Sequence, residues 1–183
     1  MKATALLVID VQNDYFPGGK MELEHVTAAA AHVRQALDRF RKAGWPVFHT
    51  QHFIARPGAT FLIPGTDGVE INHLVVPEAS EQVIQKNFPN AFRATDLQAR
   101  FDAAGIRTLA IAGMMTHMCV DASVRQAFDL GYACTVLSDA CATRKQFFED
   151  LEIPAAQVHG AFLAALRGVY AQVMPTEDFL KTL

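Results

Sequence analysis

The stretch Arg107-Thr108-Leu109-Ala110-Ile111-Ala112-Gly113-Met114-Met115-Thr116-His117-Met118-Cys119-Val120 decides how the chain reads. Arg107 to Ala112 is an apolar run of strand length, the pattern of a strand buried on both faces of a parallel sheet. A helix starts near Met118, runs to Leu130 and is capped by Gly131. Working back from this run, Thr95-Asp96-Leu97 opens a helix that Gly105 closes, and Val83-Ile84 leading into Lys86 is a short strand. Before it, Phe53 to Pro77 is rich in Pro and Gly and reads as a long loop of the kind that walls a site. Trp45 to Thr50 reads as a strand, Val26 to Ala43 as a helix stopped by Gly44, and Thr4 to Ile9 as a continuous apolar strand ending in Asp10. Forward of the run come strand Ala133 to Leu137, helix Pro154 to Leu166 and strand Val169 to Val173. Strands alternating with helices predict an α/β fold of three layers, α/β/α, around a mostly parallel six-stranded sheet, with right-handed crossovers placing helices on both faces.

Composition narrows the function. The 183 residues fit one domain, taken as 1–183, large enough to bury a core without staples. Hydrophobic residues make up 51% and charged residues 19%, a globular composition whose apolar surplus can cover an oligomer interface. A net charge of -3 offers no footprint for nucleic acid or an anionic membrane. The N-terminal run from Met1 to Asp10 has no small-residue cleavage site, and no apolar stretch is long enough to span a bilayer. Three cysteines, Cys119, Cys134 and Cys141, without paired spacing point to free thiols and a reducing compartment, the cytoplasm being the simplest.

In such sheets ligands bind beyond the carboxyl ends of the strands, near the point where strand order reverses. Asp10, Lys86 and Cys119 each follow a different strand at that edge. A thiol at a helix N-terminus is expected to gain thiolate character from the exposed N–H groups and the dipole. Nucleophilic catalysis also needs a proton acceptor and an anion partner. Asp10 offers the first, as a general base returning its proton to the leaving amine, and Lys86 the second.

Asp10-Val11-Gln12-Asn13-Asp14-Tyr15-Phe16 with Gly18-Gly19, Lys86 followed by Asn90-Ala91-Phe92, and the run Gly113 to Val120 resemble the three blocks of the isochorismatase-like cysteine hydrolase superfamily. Asp129-Leu130-Gly131-Tyr132 and Ser138-Asp139-Ala140-Cys141-Ala142-Thr143 extend the resemblance over nearly the whole chain. It implies a Rossmann-like sheet and a Cys-Asp-Lys triad on Cys119, Asp10 and Lys86. It also implies a cis peptide between Met114 and Met115, with the N–H groups of Met115 and Cys119 directed at an oxyanion. A homodimer or homotetramer follows from the same resemblance.

Nicotinamidases of this superfamily bind a metal through an aspartate and histidines after the second strand. Here His49, His52 and His73 are available, but Thr50-Gln51-His52 lacks the Asp-x-His pair, so no metal and no other cofactor is expected. Isochorismatases that hydrolyse a vinyl ether commonly lack the cysteine, so Cys119 favours acyl chemistry on a small amide. Tyr15, Phe16, Phe61 and Phe92, with Thr116 and Asn13, are the candidates for substrate contacts. The vinyl ether reading, a redox role with Cys134 or Cys141 resolving Cys119, a nucleotide-binding module and a catalytically silent subunit are the rivals. The redox reading lacks a Cys-x-x-Cys motif, and the nucleotide reading lacks Gly-x-Gly-x-x-Gly after the first strand.

Overall fold

A computed structural model describes residues 3–183; Met1 and Lys2, where the reading of the N-terminal run begins, lie outside the described residues. Strands β1 (Ala3–Ile9), β2 (Val47–His52), β3 (Gln82–Lys86), β4 (Ile106–Met114), β5 (Ala133–Ala142) and, after the hairpin β6 (Gln146–Phe148) and β7 (Leu151–Ile153), β8 (Gln172–Met174) form the skeleton. The helices between and after them are α1 (Val26–Ala43), α2 (Leu97–Ala103), α3 (Asp121–Asp129), α4 (Ala155–Val169) and α5 (Thr176–Lys181). The six-stranded sheet has the order β3-β2-β1-β4-β5-β8, and every neighbouring pair is parallel.

The unbroken apolar run of β1 is explained by what covers each face. Leu6 and Val8 join Ala110 and Ala112 of β4 in a cluster with α1 and Phe179 of α5. Ala5, Leu7 and Ile9 join Leu109 and Ile111 in the opposite cluster, with Leu97 and Phe101 of α2, Val124 of α3 and Leu166 of α4. Alternation exists, but both faces are apolar, so it is invisible as polarity. Helix α1 buries Val26, Ala29, Ala30, Val33, Leu37 and Phe40 at helical spacing, and Gly44 ends it in the left-handed conformation. Arg41 of α1 donates through Nε to Glu81 Oε1 at 2.7 Å, and Glu81 Oε2 lies 2.8 Å from His49 Nε2, tying α1 to the entry of β3. Burial would raise the Glu81 pKa, but these bonds outweigh it and bring it down to about 2.

Several boundaries differ from those read in the sequence. Strand β2 continues to His52 because Gln12 brackets its last residue: Gln12 Nε2 donates to the His52 carbonyl at 2.9 Å, and the His52 amide donates to Gln12 Oε1 at 2.8 Å. Helix α4 carries through Gly168 to Val169, so the last strand starts at Gln172 rather than Val169. Strand β5 extends to Ala142, and the β6-β7 hairpin and α5 are additions. The long loop holds two short 3-10 turns, Asp67–Val69 and His73–Val75. Among the described residues no helix is long and apolar enough to cross a membrane.

The chain winds outward from β1 through β2 to β3, then returns to place β4 on the other side of β1. The strand order therefore reverses between β1 and β4, and the crevice at their carboxyl ends is the expected place for a ligand.

Candidate active site

Asp10 follows β1 directly, with φ of +50°, a conformation uncommon outside glycine. It is wholly buried. Thr50 Oγ1 donates to Asp10 Oδ1 at 2.6 Å, and Lys86 Nζ lies 2.7 Å from Asp10 Oδ2. Burial alone would raise the Asp10 pKa; the adjacent ammonium outweighs it and holds the carboxyl at about 2.

Lys86 closes β3, two strands from β1, and its side chain crosses the end of β2 to reach Asp10. Its ammonium also donates to the Phe88 carbonyl at 3.0 Å and meets His52 Nδ1 at 2.9 Å, with the Pro89 carbonyl at 3.3 Å. Three protons face at least three acceptors, so Lys86 has none left for a further partner. Burial favours the neutral amine, but Asp10 and Cys119 outweigh it and the Lys86 pKa is raised.

Cys119 arrives from the other side of the reversal. Gly113, near the end of β4, has φ of +129°, and a Cβ there would collide with the Ile9 carbonyl. Only glycine lets β4 run this close to β1. The Met114–Met115 peptide is cis. The chain then makes a π-helical turn, Thr116–Val120, before α3 starts at Asp121. Such turns are frequent at functional sites. Cys119 thus lies inside the turn rather than at the N-terminus of a helix starting near Met118. Burial pushes its thiol well up, Asp10 pushes the same way and Lys86 opposes them. Burial and the Asp10 charge thus act against the thiolate character expected from the helix dipole, and Lys86 acts for it.

The described fold brings Asp10, Lys86 and Cys119 into one cluster and adds His52. The Cys119 Sγ lies 3.6 Å from His52 Nδ1, and the potential ligand atoms of Asp10, His52 and Cys119 all fall within 4.8 Å of one another. Such a donor set could face a cation. Here the cation beside Asp10 and His52 is the Lys86 ammonium, which takes the lone pairs a metal would use. The other two histidines are elsewhere: His49 is bonded to Glu81, and His73 is exposed in a 3-10 turn.

Cys119 and His52 open into a cleft of about 490 Å³. Tyr15, Phe53, Ile54, Phe61, Phe88, Met115 and Met118 supply its apolar wall, with Asn87 and Arg56 at exposed positions. The Tyr15 and Phe61 rings stand 6.3 Å apart. Burial, with Cys119 and Asp10 nearby, keeps the Tyr15 phenol neutral. Of the substrate candidates, Tyr15 and Phe61 line this cleft. Asn13, Phe16, Phe92 and Thr116 are not among its lining residues. The Asn13 amide donates to the Asp67 carbonyl and its oxygen accepts from Asn72, bracing the loop. Phe16 belongs to the core cluster under α1, and Phe92 packs against Phe101 and Tyr132. The Thr116 hydroxyl pairs with His159 Nδ1.

Residues 4–178 match the family model described as an isochorismatase domain. The chain is 52% identical over 178 residues to the uncharacterized isochorismatase family protein YddQ of Bacillus subtilis (strain 168), covering 97% of this chain and 99% of that protein. It is 27% identical to a maleamate amidohydrolase of Pseudomonas putida, over 98% of this chain and 86% of that one. The crystal structure of a protein from Oleispira antarctica assigned as an isochorismatase hydrolase superposes with a TM-score of 0.95 at 44% identity, covering 98% and 97% of the two chains. The chain belongs to the isochorismatase family and is a hydrolase.

Proposed function

We propose that the chain is a cysteine amidohydrolase for small amides. Cys119 attacks the carbonyl carbon as Asp10 takes the thiol proton, giving a tetrahedral oxyanion held by the N–H groups of Met115 and Cys119. Asp10 then delivers that proton to the leaving amine, and the carbon–nitrogen bond breaks to leave an acyl-thioester. Water attacks the thioester, Asp10 takes one of its protons, and the same proton returns to the departing sulfur as the carboxylic acid leaves.

The observation that carries this reading is the meeting of a buried carboxyl, its lysine counterion and a buried thiol at the floor of a cleft, with a carboxylate oxygen of Asp10 and the sulfur of Cys119 within 4.8 Å of each other. Neither group alone is reactive, and proton transfer between them on substrate attack makes both so. An aspartate held ionised is a poor acid toward a vinyl ether at neutral pH, which favours the amide over the vinyl ether substrate. The cleft suits a compact amide with an apolar acyl group, and kinship with an amidohydrolase supports carbon–nitrogen cleavage.

We read the working form as a homodimer or homotetramer, because the β6-β7 hairpin exposes Phe147, Phe148 and Leu151, each at least 60% accessible. Three free cysteines fit a reducing compartment such as the cytoplasm. The test is ammonia release from a panel of small amides. Turnover by the wild type, its loss in Cys119→Ala, and a trapped acyl mass on the peptide containing Cys119 are expected. Turnover surviving in Cys119→Ala would refute the reading.

A further inference from the structure

His52 belongs to the cleft as much as to the charged cluster, and its contacts with that cluster run through one ring nitrogen only. Nδ1 lies 2.9 Å from the Lys86 ammonium and, farther off, 3.6 Å from both Cys119 Sγ and Asp10 Oδ2. An ammonium can only donate, so the ring must offer a lone pair at Nδ1 and carry its single proton on Nε2. Nδ1 cannot then also serve as the base for Cys119, since its lone pair is taken. The ring is buried yet lines the cleft, and Nε2 has no hydrogen-bond partner among the described residues. The His52 backbone is clamped on both sides by Gln12, so the ring's origin is fixed. A ligand that displaces solvent from this cleft either accepts from that donor or leaves it unpaired, at a cost.

We propose that His52 determines specificity, its Nε2–H binding an acceptor oxygen or nitrogen that the substrate carries close to the scissile carbonyl. The proposal rests on the amidohydrolase reading and names a substrate class within it: compact amides substituted next to the carbonyl with an ether, hydroxyl or carbonyl oxygen. Closeness to the carbonyl follows from the short distance between the ring and the sulfur that must reach it. A plain alkyl amide leaves Nε2–H unpaired on binding and is disfavoured.

Methoxyacetamide and butanamide have nearly the same shape and differ by one oxygen, so they serve as probes. Each is tested for protection of Cys119 against iodoacetamide in the full chain, followed by mass spectrometry of the Cys119 peptide. Wild-type protein should be half-protected by methoxyacetamide at a concentration about tenfold lower than by butanamide, the worth of one buried hydrogen bond. His52→Phe should erase the difference. His52→Asn keeps an acceptor toward Lys86 but lacks a donor at the Nε2 position, and should erase it as well. His52→Gln places an amide N–H near that position and should retain it. Nitrogen-15 NMR of the wild-type ring at neutral pH should show the proton on Nε2 alone. Equal protection in the wild type, a preference that survives in His52→Phe, or a proton on Nδ1 would overturn the proposal. Ammonia release is measured in parallel. If the preference holds but neither probe nor any other amide is hydrolysed, the assignment of His52 stands and the amidohydrolase reading falls.

Discussion

The Thr50 hydroxyl donates to Asp10 Oδ1 at 2.6 Å, on the carboxylate oxygen opposite the one that faces Lys86. The proposed base is therefore pinned from two strands at once, β2 through Thr50 and β3 through Lys86. A hydrogen bond to the charged form favours that form. Thr50→Val removes it at nearly constant volume, so the Asp10 pKa should rise. The acid limb of the kcat/KM profile should then move to higher pH while the rate on the alkaline side changes little. The thermal unfolding midpoint at neutral pH should fall by an amount equivalent to about 1.5–3 kcal/mol, the usual worth of a bond to a charged group.

Replacing Lys86 with Met leaves Asp10 as a buried anion without its counterion. The expected cost is about 3–5 kcal/mol of stability at neutral pH, measured by denaturant unfolding. The Cys119 thiol, which Lys86 holds down against burial and Asp10, should rise further. Alkylation of Cys119 as a function of pH should shift to higher pH, and an unchanged profile would limit Lys86 to a structural role.

Asp10→Asn keeps the shape of the side chain and removes the proton acceptor. Acylation of Cys119 by a turned-over amide should slow by about a hundredfold to ten-thousandfold, read by rapid-quench mass spectrometry. A rate close to wild type would remove Asp10 from the mechanism.

Much of the candidate site is legible in the sequence because Asp10 and Lys86 stand at strand ends, and strand ends are marked by a change from apolar to polar residues. Asp10 after Ile9 and Lys86 after Val83-Ile84 are visible in that way. The part that Thr50 and His52 play beside Asp10 is harder to read, since they belong to a strand, Val-Phe-His-Thr-Gln-His, that is polar yet entirely buried. Their burial is made possible by side-chain bonds from Gln12 and to Asp10, both distant in sequence, and by the placement of β2 between β1 and β3. Nothing local reports either. The dipole argument for Cys119 is likewise local, whereas the burial that opposes it is not. Phe16 and Phe92 show the remaining limit, because an aromatic residue near a strand end looks the same whether it faces the cleft or the core.

Glu81 offers a test of the charged tie between α1 and β3, independent of catalysis. Its ordinary pKa of 4.5 is lowered to about 2 in the fold. A depressed carboxyl pKa contributes stability that is fully present above the unfolded value and lost as pH falls through the folded one. Glu81→Gln should therefore lower stability at pH 6 by about 2 kcal/mol, the scale of a charge-assisted bond. The difference from wild type should shrink between pH 4.5 and 2, as followed by urea unfolding at several pH values.

The pairing of His52 with Lys86 across β2 and β3 has a further consequence for how the sheet assembles. Successive side chains in a strand alternate faces, so slipping β3 by one residue against β2 would turn Lys86 away and bring Gln85 in its place. Asp10 would then be enclosed with no cation, and the slipped sheet would carry the cost of a solitary buried charge. Between β1 and β4, whose faces are both apolar, the register is held instead by Gly113 against Ile9, where any Cβ would collide. The ion pair between Asp10 and Lys86 thus favours one register of the edge strand over its neighbours.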